Sequence, residues 1–135
     1  MSETLKLTVP GSPGYVATVR LAVSSVANMV GFDISAIEDI RVAVSEACNN
    51  IIVHAEITND TYDVTVTTDE GRIDIFVSDQ GIGYDTNADI ASMDHGEFGL
   101  GLGVTIIKAL MDEVDITSAP GKGTTIHMTK YVQAG

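Results

Sequence analysis

The stretch A-I-E-D-I-R-V-A-V-S-E-A-C-N-N-I-I-V-H-A, residues 36–55, sets the architecture of the chain. Ile37, Ile40, Val44, Ala47, Cys48 and Ile51 recur at helical spacing and form one apolar stripe, so this segment is expected to be a helix lying on a core. Glu46, Asn50 and His54 follow at steps of four, which stacks them on one flank of that helix. With a turn of roughly 100° per residue, Glu46 and Asn50 fall opposite the stripe, beside Val42 and Val53. That second face is neither cleanly polar nor cleanly apolar, as the lining of a cleft would be. A carboxylate and an amide placed there can serve as a base and a cation ligand. The same pattern also fits a solvated helix side.

Working outward, the N-terminal side carries a second helix. Lys6 to Val9 reads as a short edge strand, ended by the turn signal P-G-S-P-G at residues 10–14. Over residues 15–30, Val16, Val19, Val23, Val26, Ala27 and Val30 keep the helical rhythm, and Gly31 stands where a C-terminal cap belongs. Valines are weak helix formers, so packing must hold this helix. Asp33-Ile34-Ser35 supplies the next N-cap region, with Glu38 three residues after Ser35 as in a capping box.

Beyond His54 the period changes to two. Tyr62, Val64 and Val66 alternate with Asp63, Thr65 and Thr67. After the turn Asp69-Glu70-Gly71, Ile73, Ile75 and Val77 alternate with polar neighbours and Phe76. Residues 78–98 keep no period and hold glycine, aspartate and small side chains, a length of loop that is usually functional. A helix opened by glycines follows over residues 102–110. Val114 and Ile116 begin a third strand of a meander. Pro120-Gly121-Lys122-Gly123 turns into a fourth, in which Thr124, Ile126 and Met128 share a face. The expected fold is α+β: a two-layer sandwich whose mixed, mostly antiparallel sheet is covered on one face by helices. No internal repeat or domain boundary interrupts residues 1–135, which read as one domain.

Composition narrows the function classes. Seven basic against 19 acidic residues leave a net charge of −12, which argues against nucleic acid and against anionic membrane as partners. No apolar run approaches a membrane span and the first residues lack signal-peptide character, so a cytoplasmic location is expected. The one cysteine, Cys48, lies on the apolar stripe as a small filler. If the ligand is a phosphate compound, so few cations leave its charge to backbone N–H groups and a metal ion.

Two glycine clusters suit that demand. Asp79-Gln80-Gly81-Ile82-Gly83 follows a strand directly, and Asp79 shares parity with Ile73, Ile75 and Val77, so it points to the helix-covered face. Burying a carboxylate there requires a partner, which a ligand amino group would provide. The alternative is an Asp that closes a turn through its own backbone. Gly99-Leu100-Gly101-Leu102-Gly103 opens a helix, where unpaired N–H groups can cradle phosphates. Neither a dinucleotide fingerprint nor a Walker-type loop is present, and His54, His95 and His127 lack metal-ligand spacing.

Taken in order, E-x-x-x-N-x-x-x-H (Glu46, Asn50, His54), D-x-G-x-G (Asp79, Gly81, Gly83), G-L-G (Gly101, Leu102, Gly103) and G-T-T-I (Gly123 to Ile126) resemble the Bergerat-type ATP-binding fold of the GHKL superfamily, which includes gyrase, sensor histidine kinases and MutL. The runs I-E-D-I-R-V-A-V-S-E-A-C-N-N, G-L-G-V-x-I-I-x-x-L-M-D-E-V, M-T-K-Y and, in the first helix, Y-V-A-T-V-R-L further resemble anti-sigma-factor serine kinases of the RsbW type. The resemblance covers nearly the whole chain and implies a cytoplasmic, homodimeric regulator of transcription with ATP and Mg²⁺ as cofactors. Such a protein sequesters a sigma factor and phosphorylates a serine of an anti-anti-sigma antagonist in a partner-switching circuit.

By the same resemblance Asn50 holds Mg²⁺ and Glu46 is the general base. Asp79 accepts the adenine amino group with Thr124 in support, and Gly81, Gly83, Gly101, Leu102, Gly103 and His54 complete the nucleotide site. Arg20 matches an arginine near the protein substrate and the γ-phosphate, and it also reads as a plain surface charge. The segment 84–99, the family's ATP lid, departs from the pattern in being short and acidic, without Lys or Arg. That departure keeps open a nucleotide-binding module that sequesters without transfer, and sequence does not separate a switching kinase whose target is not a sigma factor from one that holds a sigma factor.

Overall fold

The computed structural model describes residues 2–54, 61–79, 99–118 and 123–133. In chain order these form β1 (Glu3–Pro10), a single turn of tight helix (Pro13–Tyr15), α1 (Val16–Val30), α2 (Ile34–His54), β2 (Thr61–Asp69), β3 (Arg72–Asp79), α3 (Gly99–Leu110), β4 (Glu113–Ser118) and β5 (Thr124–Tyr131). One five-stranded sheet runs in the order β1-β2-β3-β5-β4, and every pairing in it is antiparallel. The expected α+β sandwich is therefore present, and no parallel pair occurs among the described strands.

Strand order differs from a simple meander. β5 pairs with β3 along its full length, from Arg72↔Tyr131 to Asp79↔Thr124, which moves β4 to the sheet edge. Burial accounts for the exchange. β5 buries Thr124, Ile126, Met128 and Thr129, whereas Val114 and Ile116 of β4 are only half-buried. The strand with more to bury takes the inner position. β1, at the other edge, is longer than the expected 6–9 segment, because the pairing continues to Glu3↔Thr68.

Parity assigns the two faces of the sheet. Val64, Val66, Ile73, Ile75, Val77, Ile126 and Met128 are buried beneath the helices. α1 packs on α2 and β2, and α2 packs on α3, β3 and β5. The opposite face carries Thr65, Thr67, Asp74, Phe76, His127 and Thr129.

The helix ends obey local chemistry, with one correction. Gly31 adopts φ 107°, and its N–H reaches Ala27 and Asn28 carbonyls at 3.3 and 3.2 Å while the Phe32 N–H returns to Ala27 at 3.3 Å. Such a left-handed C-terminal stop is open to glycine at little cost. At the start of α2 the cap is Asp33, not a Ser35–Glu38 box. Asp33 Oδ1 accepts from the Ala36 N–H at 2.8 Å, and Glu38 instead accepts from Arg41 Nη1 at 2.8 Å. Asp33 stands one residue before the helix with its side chain in reach of a free N–H, which leaves Ser35 inside the first turn.

Candidate functional site

The second face of α2 is covered in part, where α2 packs on α3. Asn50 is 5 % exposed, although Val42 and Val53 flanking it are 44 and 71 % exposed, and Glu46 one turn earlier is half-buried. The cover over Asn50 is backbone. A Cβ built on Gly103 would lie 2.9 Å from both Asn50 Nδ2 and Oδ1 and 3.3 Å from Cγ. Glycine at 103 is thus required for the two helices to approach with the carboxamide between them, since any side chain would push Asn50 out of place. Asn50 Nδ2 is buried and has no hydrogen-bond partner among the described residues. A buried amide donor without a partner costs on the order of 1–3 kcal/mol, so such groups mark places where a water or an acceptor on a ligand belongs.

A second pair lies at the ends of β3 and β5. Asp79 and Thr124 face each other in the register and are 4 and 2 % exposed. Ser118, which ends β4, adds its hydroxyl 2.8 Å from Thr124 Oγ1 and donates to the Gly123 carbonyl at 3.2 Å. Gly123 itself holds φ 77°. Because α2 packs on both β3 and α3, the two pairs share the helix-covered layer of the molecule.

Other expected site residues divide by position. Gly101 and Leu102 fall in α3 and His54 closes α2, whereas Gly81 and Gly83 and the lid at 84–98 lie outside the described residues. Arg20 is half-buried on α1, and its Nε is buried with no hydrogen-bond partner among the described residues. Cys48 is buried, and burial pushes its thiol up to about 11, so it is a packing group and not a nucleophile.

On the far face of the sheet a different polar cluster forms. Asp74 accepts from Arg72 Nε at 2.6 Å and Nη2 at 3.0 Å, from Thr129 Oγ1 at 2.7 Å, and lies 2.8 Å from His127 Nε2. Burial works to raise its pKa, but the hydrogen bonds from Arg72, Thr129 and His127 and the Arg72 charge prevail and hold the carboxyl well below the usual range. The His127 ring stacks on Phe76 with centroids 4.1 Å apart, and Arg72 lies over the Tyr131 ring at 5.4 Å. Tyr131 donates to Glu113 at 2.5 Å. Each partner is supplied within the described chain, which gives the cluster a structural account.

Neither Ser118 nor the Asp74 cluster was marked by sequence pattern. An S-x-x-x-x-G-T spacing was available for Ser118, yet its meaning depends on the β4–β5 pairing.

Comparison with known proteins gives this geometry a family. Residues 9–130 match the histidine kinase-like ATPase domain. A serine-protein kinase RsbW of Halalkalibacterium halodurans is 38 % identical over 141 residues, spanning 97 % of this chain and 85 % of the relative. The chain belongs to the RsbW serine-protein kinases of the histidine kinase-like ATPase family. An RsbW of Bacillus cereus is 36 % identical over 143 residues, spanning 97 and 86 % of the two chains. Among solved structures, the RsbU and RsbW domains of a Mycobacterium tuberculosis protein superpose with a TM-score of 0.74 at 24 % identity, covering 98 % of this chain and 33 % of that one. The histidine kinase domain of an Erythrobacter litoralis blue-light-activated histidine kinase shares the fold at TM-score 0.58 and 19 % identity, covering 91 and 61 %. The RsbW-type chain thus keeps an ATPase-domain fold, and no described helix is long and apolar enough to cross a membrane.

Proposed function

We propose that this chain is an ATP-dependent serine-protein kinase and anti-sigma factor, built as a single ATP-binding domain. It sequesters a sigma factor and phosphorylates a serine of an anti-anti-sigma antagonist, which relieves the sequestration. The observation that carries the reading is the buried Asn50 carboxamide, cradled by Gly103 with its amide end unpartnered among the described residues.

The donor set suits Mg²⁺ brought in by a nucleotide. Asn50 offers one carboxamide oxygen, and no group of three or more His, Cys, Asp or Glu among the described residues could hold a metal alone. Magnesium favours few protein ligands with substrate phosphates completing its shell. When bound, the ion neutralises phosphate charge and polarises the transferring group. Glu46, one helical turn from Asn50, takes the proton of the serine hydroxyl as that oxygen bonds to the γ-phosphorus and the bond to the β-phosphate oxygen breaks, releasing ADP. Asp79 accepts from the adenine amino group and Thr124 supports it. By the family resemblance Gly101, Leu102 and Gly103, with His54, would line the nucleotide together with Gly81 and Gly83, which lie outside the described residues, and Arg20 would serve the protein substrate and γ-phosphate.

Dimerisation joins two copies through β1 and the outer side of α1. There Leu21 and Met29 are 67 and 72 % exposed in a helix whose only charged residue is Arg20. Sedimentation of a Met29→Lys protein should show a weakened dimer, and a wild-type monomer at working concentration would contradict this part.

The function is tested by mixing the protein with Mg-ATP and the antagonist and following serine phosphate by mass. Transfer should occur and should vanish in Glu46→Ala while nucleotide still binds. ATP binding without transfer would favour the sequestering module, for which the acidic 84–99 segment is the argument. Transfer without sigma-factor capture would move the target elsewhere.

A further inference from the structure

The C-terminal end of α3 is bonded to β5 at three points. Lys130 Nζ donates to the Leu110 carbonyl at 2.6 Å, the Asp112 N–H donates to the Thr129 carbonyl at 2.9 Å, and the Tyr131 N–H donates to Asp112 Oδ2 at 2.8 Å. Leu110 is the last residue of the helix, so its carbonyl finds no acceptor's role inside it. An ammonium placed there also answers the negative end of the helix dipole. Of the three bonds, only the first depends on a side chain of β5. The opposite part of α3 meets α2 with little to fix its place along the axis. Within residues 103–110 only Gly103 and Ile107 are buried, and a glycine offers no side chain to interlock with a neighbouring helix. Clearance there is nonetheless tight, since a Cβ on Gly103 would stand 2.9 Å from both Asn50 Nδ2 and Oδ1.

We infer that Lys130 is a positioning residue for the magnesium–nucleotide site: by tying the last carbonyl of α3 to β5, it sets the axial place of that helix and so holds Gly103 against the Asn50 carboxamide. Residue 110 lies roughly 10 Å along the helix from residue 103, and the hydrogen-bonded backbone between them carries an axial displacement from one end to the other. A binding group must be held to within about 0.5 Å by the residues that support it. Loss of the Lys130 bond lets α3 slide by that much, and the Asn50 carboxamide, wedged under Gly103, moves with it. Lys130 itself touches neither nucleotide nor metal and acts only through α3. This inference rests on the proposed reading of Asn50 as the group that holds Mg²⁺.

The test is a double-mutant cycle, read as the Mg-ATP dissociation constant by titration calorimetry on the full chain. Lys130→Met keeps an unbranched stem and removes the donor. It should weaken Mg-ATP binding by about fivefold, the effect of one hydrogen bond. In a Gly103→Ala background, where Asn50 is already displaced, the same change should cause no further loss. Lys130→Arg, which keeps a cation and a donor, should bind within about twofold of wild type. If the methionine variant does not fold, Lys130→Gln reads the same cycle with a neutral donor. Unchanged affinity in Lys130→Met overturns the inference. An equal loss in both backgrounds overturns it too, because a lysine that merely stabilises the fold would act without regard to Gly103. Asn50→Ala separates the two levels. Lost binding in Asn50→Ala with wild-type affinity in Lys130→Met removes only the role of Lys130, whereas wild-type affinity in Asn50→Ala removes the metal reading and this inference with it.

Discussion

Strand β3 buries two carboxylates that face opposite ways. Asp74, 8 % exposed, sits on the face without helices, and Asp79, 4 % exposed, sits on the helix-covered face where the strand ends. Asp74 is enclosed by Arg72, His127 and Thr129, so its charge is answered by donors from the same sheet. Asp79 has hydroxyl-bearing Thr124 across from it and leads into the glycine-rich 80–83 stretch. The pair teaches that burial of a carboxylate does not by itself mark a ligand site. What matters is where the carboxylate stands: among donors in the middle of the sheet, or at a strand end beside a glycine-rich stretch, where a ligand can approach.

Substitution can break that comparison. Asp79→Asn should weaken ATP binding by roughly 10- to 100-fold, the cost of losing a hydrogen bond to a charged acceptor, with little change in the nucleotide-free melting curve. Asp79→Asn with wild-type affinity would put the two carboxylates in one structural class. Next in size, Gly103→Ala should weaken Mg-ATP binding by roughly tenfold, because the new methyl displaces the Asn50 carboxamide at the cost of an overpacked contact. A retained affinity would mean that Asn50 can move without loss.

Asp74→Asn should do the reverse of Asp79→Asn. Nucleotide affinity should stay near wild type, and the melting temperature should fall by about 5 °C at neutral pH. The sign of its pH dependence follows from linkage. The folded carboxyl of Asp74 is held below its unfolded value, so its contribution is complete above that unfolded value, about 3.9. The contribution declines as pH falls below that and is gone once pH passes the folded value. Melting curves of wild type and Asp74→Asn should therefore converge below about pH 4. A gap that widens with acid would contradict the assignment.

The sequence made some of this legible and concealed the rest for physical reasons. The apolar stripe of α2 and the alternation in β2 and β3 are local periodicities, so both helices, the hairpin and the inward direction of Asp79 could be read directly. The order of β4 and β5 could not, because it is a competition between strands for the buried position. The Asp33 cap competed with a Ser35–Glu38 box of similar composition, and side-chain reach chose between them. The enclosure of Asp74 depends on His127 and Thr129, which pattern along one strand cannot connect to it. Likewise the contact of Gly103 with Asn50 exists only once α2 and α3 have packed. Motif order indicated the family and which residues to examine. Packing decided which of them are enclosed.

The most direct test of the account is calorimetric titration of ATP, with and without Mg²⁺, into wild type and Asn50→Ala. Wild type should bind ATP in a magnesium-dependent manner and binding to Asn50→Ala should fall below detection, with both proteins melting at nearly the same temperature before nucleotide is added. Ordinary magnesium-dependent affinity in Asn50→Ala would contradict it, because the cradled carboxamide would then be a packing feature of the α2–α3 contact and not the centre of a nucleotide site.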